Sequence, residues 1–174
     1  MFHYTADEHY GHSNVIKYCN RPFSSVEEMN AKLIANHNEV VTDKDTTIHV
    51  GDFTLIKNKR RVQEIIDQLN GRHIFIKGSH DYWIPFKGSI QILDKTIDKQ
   101  YVVACHYCMH TWARSHYNSW HVFGHSHGGL DHPGKCYDVG VDNNGFYPVS
   151  MTDLKKIMDK RPNNFNLVRN RRRK

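Results

Sequence analysis

A chain of 174 residues, 39% hydrophobic and 24% charged, is long enough for one domain with a real core and too apolar to stay unfolded. No apolar run approaches the roughly 20 residues that cross a bilayer, so no membrane partner is expected. The formal net charge of +6 is concentrated in the closing run from Arg169 to Lys174, which leaves the body nearly balanced. That basic end reads first as a solvated tail and second as a nucleic-acid contact.

The opening residues lack the basic and apolar regions of a signal peptide, so a cytoplasmic protein is expected. Its four cysteines, Cys19, Cys105, Cys108 and Cys136, then stay reduced. Cys105 and Cys108 form a CxxC with no second pair to match it, which argues against a zinc ribbon. Cys105 reads instead as a small apolar residue on a buried strand. The 14 histidines are the compositional oddity, and they crowd between His106 and His132.

In chain order, Phe2 to Ala6 alternates weakly and predicts a first strand ending at Asp7-Glu8-His9. Ser25 with Glu28 three residues later forms a capping box, and Val26, Met29, Leu33 and Val40 share one face of the helix it starts. Thr46 to Val50 is rich in β-branched residues and predicts a second strand, ending at Gly51-Asp52. Arg60 to Leu69 predicts a helix stopped by Asn70-Gly71. His73 to Lys77 predicts a third strand, ending at Gly78-Ser79-His80-Asp81. This alternation argues an α/β sheet with parallel neighbours. Beyond Pro85 the expected strands are Ser89 to Leu93, Tyr101 to Cys105, Trp120 to Phe123 and Cys136 to Val141. They predict a second, more antiparallel sheet facing the first. Thr152 to Lys160 predicts the last helix. One domain over 1–161 and a basic tail over 162–174 are expected.

Several strand ends thus deliver Asp7, His9, Asp52, His80, His106, His125 and His127, and ligands of open α/β sheets sit beyond such ends. Trp120 to Gly129 is the densest case: a short strand runs into a glycine-bounded turn carrying His125 and His127, two residues apart. Mixed carboxylate and imidazole donors suit a first-row transition metal. Seven candidates exceed what one tetrahedral ion needs, so two ions bridged by a carboxylate are the natural reading.

Asp7-Glu8-His9, Gly51-Asp52, Gly78-Ser79-His80-Asp81, His106-Tyr107 and Gly124-His125-Ser126-His127 resemble, in order and spacing, the motifs of the calcineurin-like metallophosphoesterases. The resemblance covers about residues 2 to 150. It implies a four-layer, two-sheet α/β sandwich with a dinuclear metal site at one edge. It implies that Asp7, His9 and His127 hold one ion, that His106 and His125 hold the other, and that Asp52 bridges them. His80 would touch the phosphate and protonate the leaving oxygen, with Asp81 beside it. His110 is a rival for the role of His106, while His12, His49 and His116 read as supporting or surface histidines. Ser79 stands where the family has an Asn that ligates the second metal, and a hydroxyl is a shorter, poorer donor.

The resemblance implies a dinuclear metal-dependent phosphohydrolase. Water activated between two divalent ions, manganese ahead of iron, zinc or nickel, attacks phosphorus. The expected substrate is a phosphate ester, a nucleotide or a nucleic-acid end, since the chain is small and has no cap domain. Asp52-Phe53-Thr54-Leu55 lacks the element typical of protein Ser/Thr phosphatases. Ser79 favours one alternative: a scaffold or binding module that keeps the fold and has lost catalytic strength. The oligomeric state is left open.

Overall fold

The computed structural model describes residues 1–85 and 87–168. Three strands, β1 (Phe2–Thr5), β2 (Thr46–Val50) and β3 (Arg72–Ile76), lie parallel in one sheet, with Thr5 opposite His49 and His49 opposite Phe75. Alternation splits their side chains between two faces. Tyr4, Ile48, Val50 and Ile76 enter the core between the sheets. His49 and Phe75 turn the other way and pack against Phe53.

The helices on that outer face start where the sequence says they should. Ser25 Oγ accepts the amide of Glu28 at 3.1 Å and opens the helix Val26–Val40. The Glu28 carboxylate reaches back to the Ser24 amide at 2.7 Å, one residue earlier than a strict capping box requires. A shorter helix, Lys59–Ile66, ends before the expected Leu69, and Leu69 closes the turn that follows by donating its amide to Ile66. Met29, Leu33 and Val62 form the core between these helices and the sheet. The helices are α2 and α3, because a six-residue helix, α1 (Ser13–Tyr18), precedes them. The sequence reading placed no element there.

The second sheet runs in the order β4-β5-β6-β7, with β4 at Ile92–Ile97, β5 at Gln100–Cys105, β6 at Trp120–Phe123 and β7 at Cys136–Asp138. Two expectations need correction. The strand expected at Ser89 to Leu93 lies at Ile92–Ile97, because Asp98 and Lys99 form a tight turn with φ of 48° and 68° that pairs Ile97 with Gln100. The sheet is also not mainly antiparallel. Only β4 and β5 are antiparallel, while β5, β6 and β7 are parallel. The connections after β5 and after β6 are each about a dozen residues long, enough for crossovers. The strand expected to reach Val141 stops at Asp138, and a 3-10 turn takes over at Val141–Asn143.

A two-residue strand, β8 (Val149–Ser150), pairs antiparallel with β1 and leads into α4 (Met151–Lys160). Met151, Leu154 and Met158 of α4 join the core between the sheets. The outer face of the second sheet is covered by the chain after β5. There Trp112, Cys108 and Met109 pack on Val103, Phe123 and Cys136. The result is a two-sheet α/β sandwich. Because both sheets have parallel cores, the carboxyl ends of β1, β2 and β3 meet those of β5, β6 and β7 at one edge.

The segment after Arg161 begins by packing on the body. Asn164 is buried, donates to the carbonyls of Ser115 and Ser119 at 2.8 and 3.1 Å, and accepts the Lys135 amide at 2.7 Å. The run 169–174 lies outside the described residues. Truncation after Val168, which keeps Asn164, supplies the reference melting temperature. Cutting after Arg161 leaves the partners of Asn164 unpaired, at about 1–3 kcal/mol. For a chain of this size that lowers the melting temperature by roughly 2–4 °C per kcal/mol, which a thermal melt of the two truncations will read.

Candidate metal centre

Each candidate residue is delivered by a turn at a strand's carboxyl end, and the turns share a conformation. Asp7, His9, Asp52, His125 and His127 all have φ between 47° and 68°. Left-handed backbone is uncommon for side chains of this kind and costs on the order of 1–3 kcal/mol each. Backbone pairing compensates. The amides of Asp7, His9 and Tyr10 donate to Gly51, Asp52 and Phe53 at 3.0, 3.0 and 2.9 Å, so the loops after β1 and β2 run side by side.

Asp52 lies at the middle. It is 2% exposed, and its Oδ2 is 3.3 Å from His106 Nε2 and 3.9 Å from both His9 Nε2 and His80 Nε2. His106 Nδ1 is held by the Val50 carbonyl at 2.9 Å, which turns Nε2 toward Asp52. Burial would raise the Asp52 carboxyl, but its hydrogen bond to His106 and the charge of that imidazole outweigh burial and hold it well below the usual range. Asp52 is therefore anionic at any ordinary pH. Around it stand two groups of three donors whose ligand atoms lie within 4.8 Å of one another: Asp7 with His9 and His127, and Asp52 with His106 and His125.

These residues fit divalent cations on physical grounds. Both ring nitrogens of His9 are buried with no hydrogen-bond partner among the described residues. Buried polar atoms are ordinarily paired, so such orphans point to a ligand. Burial also pushes the Asp7 carboxyl up to about 7, against the pull of His106 and His127. Burial drives His9 down to about 3, keeping it neutral and available as a donor. His110, the rival of His106, is exposed and lies tilted against Phe165 at 4.7 Å, outside both donor groups.

Two expected site residues occupy different positions from those foreseen. Asp81 does not share a catalytic surface with His80. It is wholly buried, and its oxygens accept the amides of Asp52 and Gly78 at 2.8 Å each, that of Thr54 at 3.2 Å and the Trp83 indole at 3.2 Å. That makes it a template for the Asp52 loop. Ser79 donates its hydroxyl to the Asp52 carboxylate at 3.0 and 3.3 Å, so it contacts the bridge candidate directly. His80 donates its amide to the same carboxylate at 2.8 Å and leaves its ring 39% exposed.

Three supporting residues escaped the sequence reading. Asp142 Oδ2 meets His127 Nδ1 at 2.6 Å, which frees the other ring nitrogen for a ligand. Arg21, buried, binds both oxygens of Asp142 at 2.7 Å and the carbonyls of Asp7 and Glu8 at 2.6 and 3.0 Å. Asp138 accepts the Ser126 hydroxyl and the Gly128 amide at 2.7 and 2.8 Å and so shapes the turn bearing His125 and His127. Each is a lone charged residue far in sequence from its partner, and no local motif marks it. His49, read as supporting or surface, is buried on the helix side between Glu8 at 2.5 Å and His73 at 3.0 Å. Among the described residues, His116 is exposed on the 3-10 turn Ser115–Tyr117. His12 lines a cleft of about 530 Å³ over the centre, together with Val15 and Tyr18 of α1, His80, His125 and His127.

No family model matches the chain. An uncharacterized protein of Methanocaldococcus jannaschii is 35% identical over 169 residues, which span 89% of each chain. The crystal structure of a protein of unknown function from Aquifex aeolicus superposes with a TM-score of 0.68 at 22% identity, covering 90% of this chain and 98% of that one. A conserved uncharacterized protein from Streptococcus pneumoniae, described as a predicted phosphoesterase, matches at a TM-score of 0.44 and 14% identity, covering 80% of this chain and 70% of that one.

Two outcomes follow from the donor chemistry. A carboxyl near 7 is protonated at lower pH, and a cation must displace that proton. Cation affinity should therefore fall as pH drops below about 7, and calorimetry in buffers of different ionisation enthalpy should find more protons released at pH 6 than at pH 8. Asp142→Asn should leave the fold intact and weaken cation binding roughly 10–100-fold, since it loses the partner that orients His127; a metal titration measures it.

Proposed function

Because the chain belongs to the same family as the Methanocaldococcus jannaschii protein and has the fold of the calcineurin-like metallophosphoesterases, we propose that it is a divalent-cation-dependent phosphoesterase acting on phosphodiesters. The observation that carries this reading is the position of Asp52. A single oxygen, Oδ2, stands 3.9 Å from a donor of the Asp7-His9-His127 group and 3.3 Å from a donor of its own group, as a bridge between two cations requires. Asp7, His9 and His127 would hold one ion, and His106 and His125 the other, with Asp52 shared.

A cation pair, when bound, lowers the pKa of water and stabilises charge on phosphoryl oxygens. The remaining work falls to the protein. Arg21, Asp81, Asp138 and Asp142 hold the donors in one arrangement, which makes the site preorganised. His80 stands at the cleft with its ring partly exposed, and in this reading it protonates the departing oxygen. Asp81 keeps His80 in place indirectly, through the Gly78 amide and the Asp52 loop. Tyr18, 77% exposed, offers an aromatic ring on the wall of the cleft. That wall supports a nucleotide or a nucleic-acid end as the substrate class, since a base stacks on such a ring. Manganese is the cation expected to serve first.

The test is hydrolysis of bis(p-nitrophenyl) phosphate by the full chain with added Mn²⁺. Turnover that vanishes in Asp52→Asn supports the reading, and its absence in the parent protein across divalent metals refutes it. His80→Ala should keep its cation content and lose ~10²–10⁴-fold in kcat on diesters with poor leaving groups. The loss should be smaller with nitrophenol, which leaves without a proton. Loss of cation together with equal impairment of both substrates would make His80 a ligand instead.

A further inference from the structure

A second cluster of metal-binding side chains lies on the outer face of the second sheet and shares no residue with the centre above. Cys108, in the cover after β5, has its Sγ 4.0 Å from Sγ of Cys136 on β7. His132, in the loop leading into β7, completes a group whose donor atoms all lie within 4.8 Å of one another. A zinc ribbon needs a second CxxC, and the chain has none. Here folding brings Cys108 together with a cysteine 28 positions later instead.

Two thiolates, each about 2.3 Å from a tetrahedral zinc ion, sit roughly 3.8 Å apart, close to the separation observed. A disulfide needs about 2.05 Å, and these cysteines are free. Sulfur contact alone does not explain the third member. Nδ1 of His132 is shut off from water and has no hydrogen-bond partner among the described residues. Its loop is already pinned: Arg161 Nε donates to the Gly134 carbonyl at 2.9 Å, and its guanidinium also binds Asp131 at 2.8 Å and the His132 carbonyl. The loop is thus held without using that nitrogen, and the ring packs edge-on against Trp112 at 5.9 Å. His121 is nearby but occupied, with Nδ1 on the Val103 carbonyl at 3.0 Å and Nε2 accepting the Met109 amide at 3.1 Å. That leaves three protein donors and a fourth position for water. A cavity of about 190 Å³ lined by His132, Cys136, Asp131 and Arg161 provides room for it.

We propose that Cys108, His132 and Cys136 form a second metal site for a single thiophilic divalent cation of the zinc class. Two thiolates and a neutral imidazole balance the charge of such an ion, and binding sends the two thiol protons to solvent. The site ties the cover after β5, which begins at His106, to the loop that follows His125 and His127. It works as a staple across the two chain segments that carry one half of the candidate catalytic centre.

Cobalt(II) separates the two sites by their donor atoms, because this one holds two thiols while the first centre has, among the described residues, only Cys19 beside His127 and Asp142, which a Cys19→Ser control removes. The full chain, stripped by chelator under reducing conditions, is titrated with Co²⁺ and read for the thiolate-to-cobalt charge-transfer band. We expect the band to saturate at one equivalent. It should be lost in Cys108→Ser, which alters a half-buried position, and weakened about 10–100-fold in His132→Ala. Asp52→Asn should keep the band whether or not the protein hydrolyses diesters, so failure of the catalytic reading and of this one are distinct. Any of three results overturns the site: no band in a protein with four free thiols, a band that survives Cys108→Ser, or a thiol count showing Cys108 and Cys136 joined as a disulfide after reducing purification. Circular dichroism of each variant confirms that a lost band is not a lost fold.

Discussion

The constraint on which the structure depends is the close approach of neighbouring loops around the Asp52 carboxylate. At Gly78 an added Cβ would stand 2.2 Å from both the amide nitrogen and Oδ1 of Asp52. At Gly51, with φ of 90°, it would stand 2.4 Å from Nδ1 of His106. Neither gap can admit a carbon atom, so these two positions require glycine for space as well as for backbone angle. The same squeeze lets the carboxylate at the end of β2 meet groups from the ends of β1, β3 and β5 at once. It also brings the His80 amide and the short Ser79 hydroxyl directly onto the Asp52 carboxylate.

An assembly of this kind puts several charged groups out of water, and burial is costly unless each is paired. The molecule meets the cost with a division of labour among its acids. Asp81 and Asp138 are wholly or nearly buried and take backbone amides, which fixes the loops. Asp142 takes Arg21 and His127, which fixes a ring. Asp7 and Asp52 retain oxygens facing the histidines. Arg21 joins these roles, because one guanidinium holds Asp142 and the carbonyls of Asp7 and Glu8 together. Strained left-handed turns then persist at five donor residues because the surroundings over-determine them.

The fold was legible where a local pattern had a physical cause. The Ser25 cap set the start of α2, and β-branched alternation located β2. It was not legible where no local pattern exists. Helix α1 is six residues long with no side-chain cap, too short to show a period, and yet it builds the wall of the cleft. Strand direction in the second sheet depends on how two long connections cross, which residue types do not encode. The site divides the same way. Asp7, His9, Asp52, His106, His125 and His127 are brought together as their strand-end positions suggested. Asp142 and Arg21 are separated by 121 positions and meet only in three dimensions. Asp81 was visible as a residue and misjudged in role, since a motif shows adjacency to His80 but not which way a carboxylate turns.

Ser79 illustrates how far one hydroxyl can stand in for a longer side chain. Its Oγ reaches Asp52 but spends its proton there, at 3.0 Å, and so it lowers the charge density on the oxygens that a cation would share. An Asn at this position would extend a carbonyl past the carboxylate and add a donor to the His106-His125 group. With Ser, that group keeps Asp52, His106 and His125, three protein donors, which is the number found in sites that leave a position open for water. His125 is exposed and His106 buried, so the softer side of this half-site faces the cleft. The rigidity it lacks in ligand number must come from the loops that carry it. Those loops are the ones packed over the second sheet through Trp112, Cys108 and Cys136, so the cover of the sheet and the precision of the candidate site are one structural problem.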